Sequence, residues 1–332
     1  MTDYRATQER DRGQAPGAVS PAPGTGGTDA SAVTPGVTTY PAAIAGGEVG
    51  GRPSSLASDA WADLRRKPLF WLSASFILLM AVVAIRPQLF TGQDPYECDL
   101  LNSVKRPSSG HWFGYDIQGC DYYTRVIYGA RPSISIGILV TIMSVIIALV
   151  LGALAGYYGG WVDTLVSRSA DIFLGIPFLL GAIVFLNAFE RRGVWVVALA
   201  LTVLGWMTLA RLMRSSVIQA RDMDYVSAAR ALGASDTRIL VRHILPNAVT
   251  PLIVYATVTI GIIISAEATL SFLNVGLQLP SISWGLQIQD AQFRFESDPH
   301  LLLFPSLFLS LTVLSFMVLG DVVRDAFDPK LR

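Results

Sequence analysis

Six apolar runs recur along the chain, at about residues 69–85, 133–157, 172–189, 194–210, 249–270 and 301–320. The first holds seventeen residues without a charge, near the lower limit for a helix that crosses a bilayer. Read as membrane spans, the six runs predict an all-α polytopic membrane protein with six transmembrane helices. Two longer polar intervals separate them, residues 87–132 and 221–247. The second has internal order. Tyr225, Ala228, Ala229 and Leu232 fall at i, i+3, i+4 and i+7, one face of a helix. Gly233 follows, where a helix would end on a left-handed residue. Ser235 can N-cap a second short helix, with Ile239, Leu240 and His243 on one face. Pro246 is expected to stop that helix, because the residue before a proline is pushed out of the α region. The pattern over 224–251 therefore predicts a helix, a glycine turn and a helix, with small alanines exposed on the first.

The N-terminal part is different material. Residues 1–55 are dominated by Gly, Pro, Ala, Ser and Thr without apolar periodicity, and predict a disordered tail. The tail lacks the apolar core of a signal peptide. Residues 56–68 predict a short cytoplasmic or interfacial helix, with Leu56, Ala60, Trp61 and Leu64 on one side. Arg65, Arg66 and Lys67 then stand immediately before the first apolar run, an orientation signal. The remainder, 69–332, follows as one membrane domain. Near the span ends, one side carries thirteen basic residues: Arg65, Arg66, Lys67, Arg168, Arg211, Arg214, Arg221, Arg230, Arg238, Arg242, Arg324, Lys330 and Arg332. The other carries eight: Arg86, Lys105, Arg106, Arg125, Arg131, Arg191, Arg192 and Arg294. The excess predicts that both termini and the 221–247 loop are cytoplasmic, and that 87–132 is extracytoplasmic.

Composition agrees with a membrane chain: 52% hydrophobic, 15% charged and a net charge of zero, which offers no case for nucleic-acid binding. None of the three lysines follows a glycine, so no P-loop for ATP is present. The three histidines, at 111, 243 and 300, are scattered, and no metal cluster or nucleophile–base pair stands out. The chain is therefore expected to be no enzyme and to hold no cofactor or metal. Both cysteines, Cys98 and Cys120, lie in the 87–132 loop. On the extracytoplasmic side a disulfide can persist, and a bridge tying the loop into a lobe is expected; two unpaired thiols are the alternative. Glu267 is the only charge inside a span, near its outer end. It is a pore candidate or, alternatively, a hydrogen-bonded anchor at the interface. Arg168 and Asp171, at i and i+3, suit a helical pair better than Asp163 and Arg168. Pro177 is expected to kink the third span.

Several of these stretches resemble one family. Ser227-Ala228-Ala229, then Gly233, then His243-Ile244-Leu245-Pro246 after nine residues, resembles the EAA loop of ABC-importer permeases, with Ser227 for glutamate and His243 for isoleucine. The His243–Asn247 ending is similar to the dipeptide and oligopeptide branch. Tyr157-Tyr158-Gly159-Gly160, with Asp163, resembles the family's G-Y-Y-G-G-x-x-D segment. His111 to Asp121 resembles its H-x-x-G-T-D-x-x-G-R-D segment, with Tyr115 for threonine and Cys120 for arginine. Glu267 to Gly276 resembles E-x-x-L-S-F-L-G-L-G, with Asn274 for a glycine; Pro280 and Trp284-Gly285 also match.

The resemblance covers about residues 60–330 and implies a type I ABC importer permease fold in a bacterial inner membrane. It implies that Tyr225, Ala228, Ala229, Leu232, Gly233, His243, Leu245 and Pro246 form a coupling hairpin against an ATPase. It implies that Gly114, Asp116, Gly119 and Asp121 belong to a turn-rich segment at a binding protein or the translocation mouth; ordinary turn chemistry is the alternative reading. The implied partners are a second related permease, two ATPase subunits or one fused ATPase carrying ATP and Mg, a solute-binding protein and the bilayer. The implied activity is uptake of peptides, with haem or nickel chelates as alternative substrates. An ion-coupled secondary transporter is the main rival, and a membrane-assembly factor is a second.

Overall fold

A computed structural model describes residues 56–327, so the tail reading for 1–55 lies outside the described residues. The described chain is built from helices α1 (Leu56–Leu64), α2 (Pro68–Ile85), α3 (Tyr122–Tyr158), α4 (Gly160–Leu174), α5 (Phe178–Asn187) and α6 (Val194–Arg221). It continues through α7 (Asp224–Ala231), α8 (Asp236–Ile239), α9 (Leu245–Ala248), α10 (Thr250–Phe272), α11 (Trp284–Ala291) and α12 (His300–Phe327). Five of these, α2, α3, α6, α10 and α12, are long and apolar enough to cross a membrane. The bent pair α4 and α5 makes a sixth when taken as one broken span.

The helices outrun the apolar runs, because charged residues at the ends find partners. α3 begins at Tyr122 rather than 133 and is 37 residues long, about 55 Å at 1.5 Å per residue. Its first turns carry Arg131, which donates to the carbonyls of Ala84 and Ile85 at 2.9 and 2.8 Å. Those carbonyls belong to the last turn of α2, where a helix leaves its acceptors unsatisfied. α6 likewise runs past residue 210 to Arg221, and Arg211, Arg214 and Arg221 all engage neighbouring elements.

The third span departs most from the run 172–189. α4 starts at Gly160, twelve residues earlier than the apolar run, and meets α5 at an angle of 86°. Pro177, which follows Gly175 and Ile176, caps α5 in an extended conformation, so the expected kink is a break. Proline cannot donate to the preceding turn and excludes the α region from the residue before it. The first half is held by ion pairs to α6. Arg214 binds the Asp163 carboxylate with two nitrogens, one contact at 2.6 Å, and Arg211 binds Asp171. Arg168 and Asp171 also pair, at 3.6 Å.

In lipid, helix association rests on close van der Waals packing more than on burial of apolar surface. Gly152 and Gly156 meet that need on α3. A Cβ on either would stand 2.6 Å from the carbonyl oxygen of Ala210 or 2.7 Å from that of Arg214, so only glycine lets α6 come this near. α10 packs on α3 and α12, α2 closes the far side, and Ala60 and Leu64 of α1 bury against Val322 and Ala326 at the end of α12.

Candidate functional site

The polar interval between α6 and α10 folds as a compact helical hairpin. Its first helix, α7, ends as the glycine predicts. Gly233 has φ +79°, Ala234 N–H donates to the Ala229 carbonyl at 3.1 Å, and Gly233 N–H donates to the Arg230 carbonyl at 3.0 Å. These two bonds are a Schellman stop, which satisfies carbonyls the helix end leaves free. Ser235 occupies the N-cap position of α8 in extended backbone, without a side-chain cap bond.

Two expectations for the hairpin are corrected. The helix that starts at Asp236 does not stop at Pro246. It passes from α8 through a π-helical turn, Leu240–Ile244, into α9, with Pro246 in its first turn. Leu245 N–H reaches back to the Leu240 carbonyl, and the wider π ring accommodates a following residue that has no N–H to offer. The inward face is also different. Val226 and Ala229 face in, Ala229 being 9% exposed, together with Ile239, Leu240 and Ile244. They pack with Tyr157, Met213, Val217 and Ala220 in one apolar cluster. Tyr225, Ala228 and Leu232 lie outward, Leu232 being 88% exposed, and Val241 joins them on the surface. His243 and Leu245 are half-buried, and Pro246 is exposed. Asn247 donates to the His243 carbonyl at 2.9 Å and to the Tyr225 hydroxyl at 3.4 Å, closing the hairpin's two arms together.

The hairpin is fastened at its base. Arg221, the last residue of α6, donates to the carbonyls of Gly156 and Tyr157 at 3.2 and 3.1 Å. A rigid stalk of two long helices thus ends in a short helical knob that exposes apolar side chains around a glycine turn.

Residues 148–332 match the family described as binding-protein-dependent transport system inner membrane component. The oligopeptide transport system permease protein OppC of Bacillus subtilis (strain 168) is 37% identical over 278 residues, 84% of this chain and 91% of that protein. The chain belongs to this family. The dipeptide transport system permease protein DppC of the same organism is 37% identical over 283 residues, covering 85% of this chain and 88% of its own. The glutathione transport system permease protein GsiD of Pectobacterium atrosepticum is 36% identical over 275 residues, 82% of this chain and 90% of its own. Among solved structures, the crystal structure of an amino acid ABC transporter with histidines aligns with a TM-score of 0.49 and 16% identity, covering 60% of this chain and 92% of that one.

This inner membrane component is a multi-pass membrane protein, and its other motifs can be placed on the fold. Cys98 and Cys120 are joined, with their Cα atoms 4.1 Å apart, and tie the segment after α2 to the turn before α3. The four residues singled out near that turn do internal work. Asp116 is buried; one carboxylate oxygen accepts from the N–H groups of Gln118 and Cys120 at 2.8 and 2.9 Å, and the other binds Arg125 at 2.6 Å. Asp121 N-caps α3 through Thr124 N–H at 2.8 Å and meets His111 Nδ1 at 2.7 Å. Gly114 and Gly119 both have positive φ, +74° and +77°. Turn chemistry therefore accounts for all four, and no carboxylate oxygen of Asp116 is left over for a partner. Beside them is a cavity of about 20 Å³ lined by Asp116, Tyr122, Arg125, Gln287 and Asp290, room for one water molecule. Burial there raises the Asp290 carboxyl above the usual carboxylate range, against the opposing pull of Arg125.

Glu267 is 0% exposed, so within this chain it faces no channel. Its carboxylate accepts from the Ser271 hydroxyl at 2.8 Å, one turn along α10. The other carboxylate oxygen, Oε2, is buried without a hydrogen-bond partner among the described residues. The departure at Asn274 has a backbone reason. Asn274 has φ +60°, and asparagine tolerates the left-handed region better than other non-glycine residues. Nearby, Trp284 is buried and donates to the Val126 carbonyl at 2.9 Å, which seats α11 between α3 and α12.

The sequence reading missed the arginine clamps, because each joins residues far apart in the chain. Asp163 and Arg214, and Tyr157 and Asp236, have no periodicity that links them. The clustering of Arg211, Arg214 and Arg221 at the polar end of an apolar run was the available signal.

Proposed function

We propose that this chain is the permease subunit of an ABC importer that takes up peptides delivered by a solute-binding protein. The observation that carries the reading is a rigidly based hairpin with an exposed glycine turn, in a chain aligned over most of its length with oligopeptide and dipeptide permeases. The ATP and Mg chemistry belongs to two ATPase subunits or one fused ATPase, since this sequence has no P-loop lysine. A second, homologous permease completes the pore. The excess of basic residues supports a bacterial inner-membrane orientation with the hairpin and both termini cytoplasmic and the disulfide-tied lobe extracytoplasmic.

In this reading Tyr225, Ala228, Leu232 and Gly233 meet the ATPase directly. Ala229, His243 and Leu245 shape the surface from behind, and Pro246 lies on it. Closure of the ATPases on ATP shifts the hairpin, and the stalk passes the motion to the spans as a rigid-body change. Gly114, Asp116, Gly119 and Asp121 shape the lobe that receives the binding protein. An ion-coupled carrier is disfavoured because such carriers use ionisable residues in the membrane interior for coupling, and Glu267 is the one charge inside a span as read from the sequence.

The test is affinity purification of the full chain from cells expressing its neighbouring permease, ATPase and binding-protein genes, followed by uptake of labelled trialanine and tetra-alanine into proteoliposomes. ATP-dependent uptake that requires the binding protein is the expected result. An assembly that lacks an ATPase, or uptake driven by an ion gradient without ATP, would overturn the reading.

A further inference from the structure

The long helix α3 runs without interruption from the lobe to the hairpin. At its start Asp121 is the N-cap and Arg125 is bound to Asp116. At its end Tyr157 is 7% exposed and its hydroxyl donates to Asp236 Oδ1 at 2.7 Å. Asp236 is the first residue of α8, so this bond crosses from the span into the second arm of the hairpin. The connection through α6 is of another kind: α6 continues into the hairpin along the backbone, past Asp222 and Met223.

We infer that the Tyr157–Asp236 bond is the latch that fixes the angle of the hairpin to the spans, and that Tyr157 is a positioning residue for coupling. A hairpin held only through the α6 connection and apolar packing can rock, since apolar contacts are non-directional. A hydrogen bond between a buried phenol and a carboxylate is directional and short, and it transmits displacement along α3. Arg221 completes the arrangement by holding the carbonyls of Gly156 and Tyr157, so the end of α3 cannot fray away from the latch. The inference rests on the importer reading for its functional consequence, but not for its structural one.

The experiment compares wild type with Y157F, D236N, D236A and the double variant Y157F/D236A, each purified as the full complex in nanodiscs. Two quantities are measured: hydrogen exchange of the amides in 236–248, and the ratio of ATP hydrolysis with binding protein to hydrolysis without it. In Y157F, exchange in 236–248 should be about three- to tenfold faster, the range expected for one lost hydrogen bond. Exchange in α3 and α6 should be unchanged, and the stimulation ratio should fall at least about threefold. D236A should match Y157F, and the double variant should be no worse than either single change, because both remove the same bond. D236N, whose amide oxygen still accepts, should keep most of the ratio, which a merely structural loss would not predict. Wild-type exchange in Y157F, a wild-type ratio in Y157F, or additive losses in the double variant would each overturn the latch. A wild-type complex whose ATPase does not respond to binding protein would instead count against the importer reading, and the exchange comparison would still decide the latch.

Discussion

Gly233 and Gly119 hold nearly the same backbone, φ +79° and +77°, under different constraints. Nothing lies within 4 Å of a Cβ built on Gly233, whereas one on Gly119 would stand 1.9 Å from the Asp99 carbonyl oxygen. Gly233→Ala is therefore expected to cost only the left-handed strain of a non-glycine residue, about 1 to 2 kcal/mol, and to leave the hairpin assembled. Gly119→Ala must displace the segment that carries Cys98 and Asp99, so the bridge should fail. Peptide mapping by mass spectrometry under non-reducing conditions separates the two. The Cys98–Cys120 peptide pair should be linked in wild type and Gly233→Ala, and free in Gly119→Ala. A linked pair in Gly119→Ala would show that the lobe is not packed as described. Gly233 was visible in the sequence as a break after a helical stretch, and Gly119 as part of a turn-rich segment. The obstruction at Gly119 was not, because it comes from a residue twenty positions earlier.

At the scale of the element, the hairpin shows how a correct periodicity can point to the wrong side. Residues 225, 228, 229 and 232 do share a stripe, but 226 and 229 form a second, overlapping one. Only contact with α6 and α3 selects the second as the buried face. Two substitutions follow from that choice. Ala229→Trp should loosen the hairpin itself, because overpacking a filled site costs typically 1 to 3 kcal/mol; exchange of the α7 amides should accelerate. Leu232→Asp should leave that exchange at the wild-type level, since the side chain is in the open, and should weaken ATPase association in a pull-down about tenfold or more. Equal ATPase binding by Leu232→Asp and wild type would remove this face of the hairpin from the interface.

For the whole molecule, the orientation can be read from two positions in the segments packed at opposite ends of α3, the lobe and the hairpin. With Cys98 and Cys120 replaced by serine and the chain expressed without its ATPase, a single cysteine at Leu232 should react with a membrane-impermeant maleimide in inverted vesicles and not in spheroplasts. A single cysteine at Leu101, exposed on the lobe, should do the reverse. The same pattern at both sites would be incompatible with α3 spanning the bilayer. The bent pair α4 and α5 matters at this scale too. Its polar face is tied to Arg211 and Arg214, so the charges at this end of the bundle are paired, and unpaired charge is costly in lipid.

The sequence by itself determined the helical class, the membrane spans, the glycine turn and the family, because each is written in local order: apolar runs about twenty residues long, a left-handed glycine, motifs of fixed spacing. Even the substitution at Asn274 was a local matter of one φ angle. The tertiary structure alone decided which stripe of α7 is buried, that Glu267 is enclosed within the bundle, and that Tyr157 meets Asp236. Each of these depends on a partner distant in the chain, and contacts of that kind arise from packing, which has no period in the sequence.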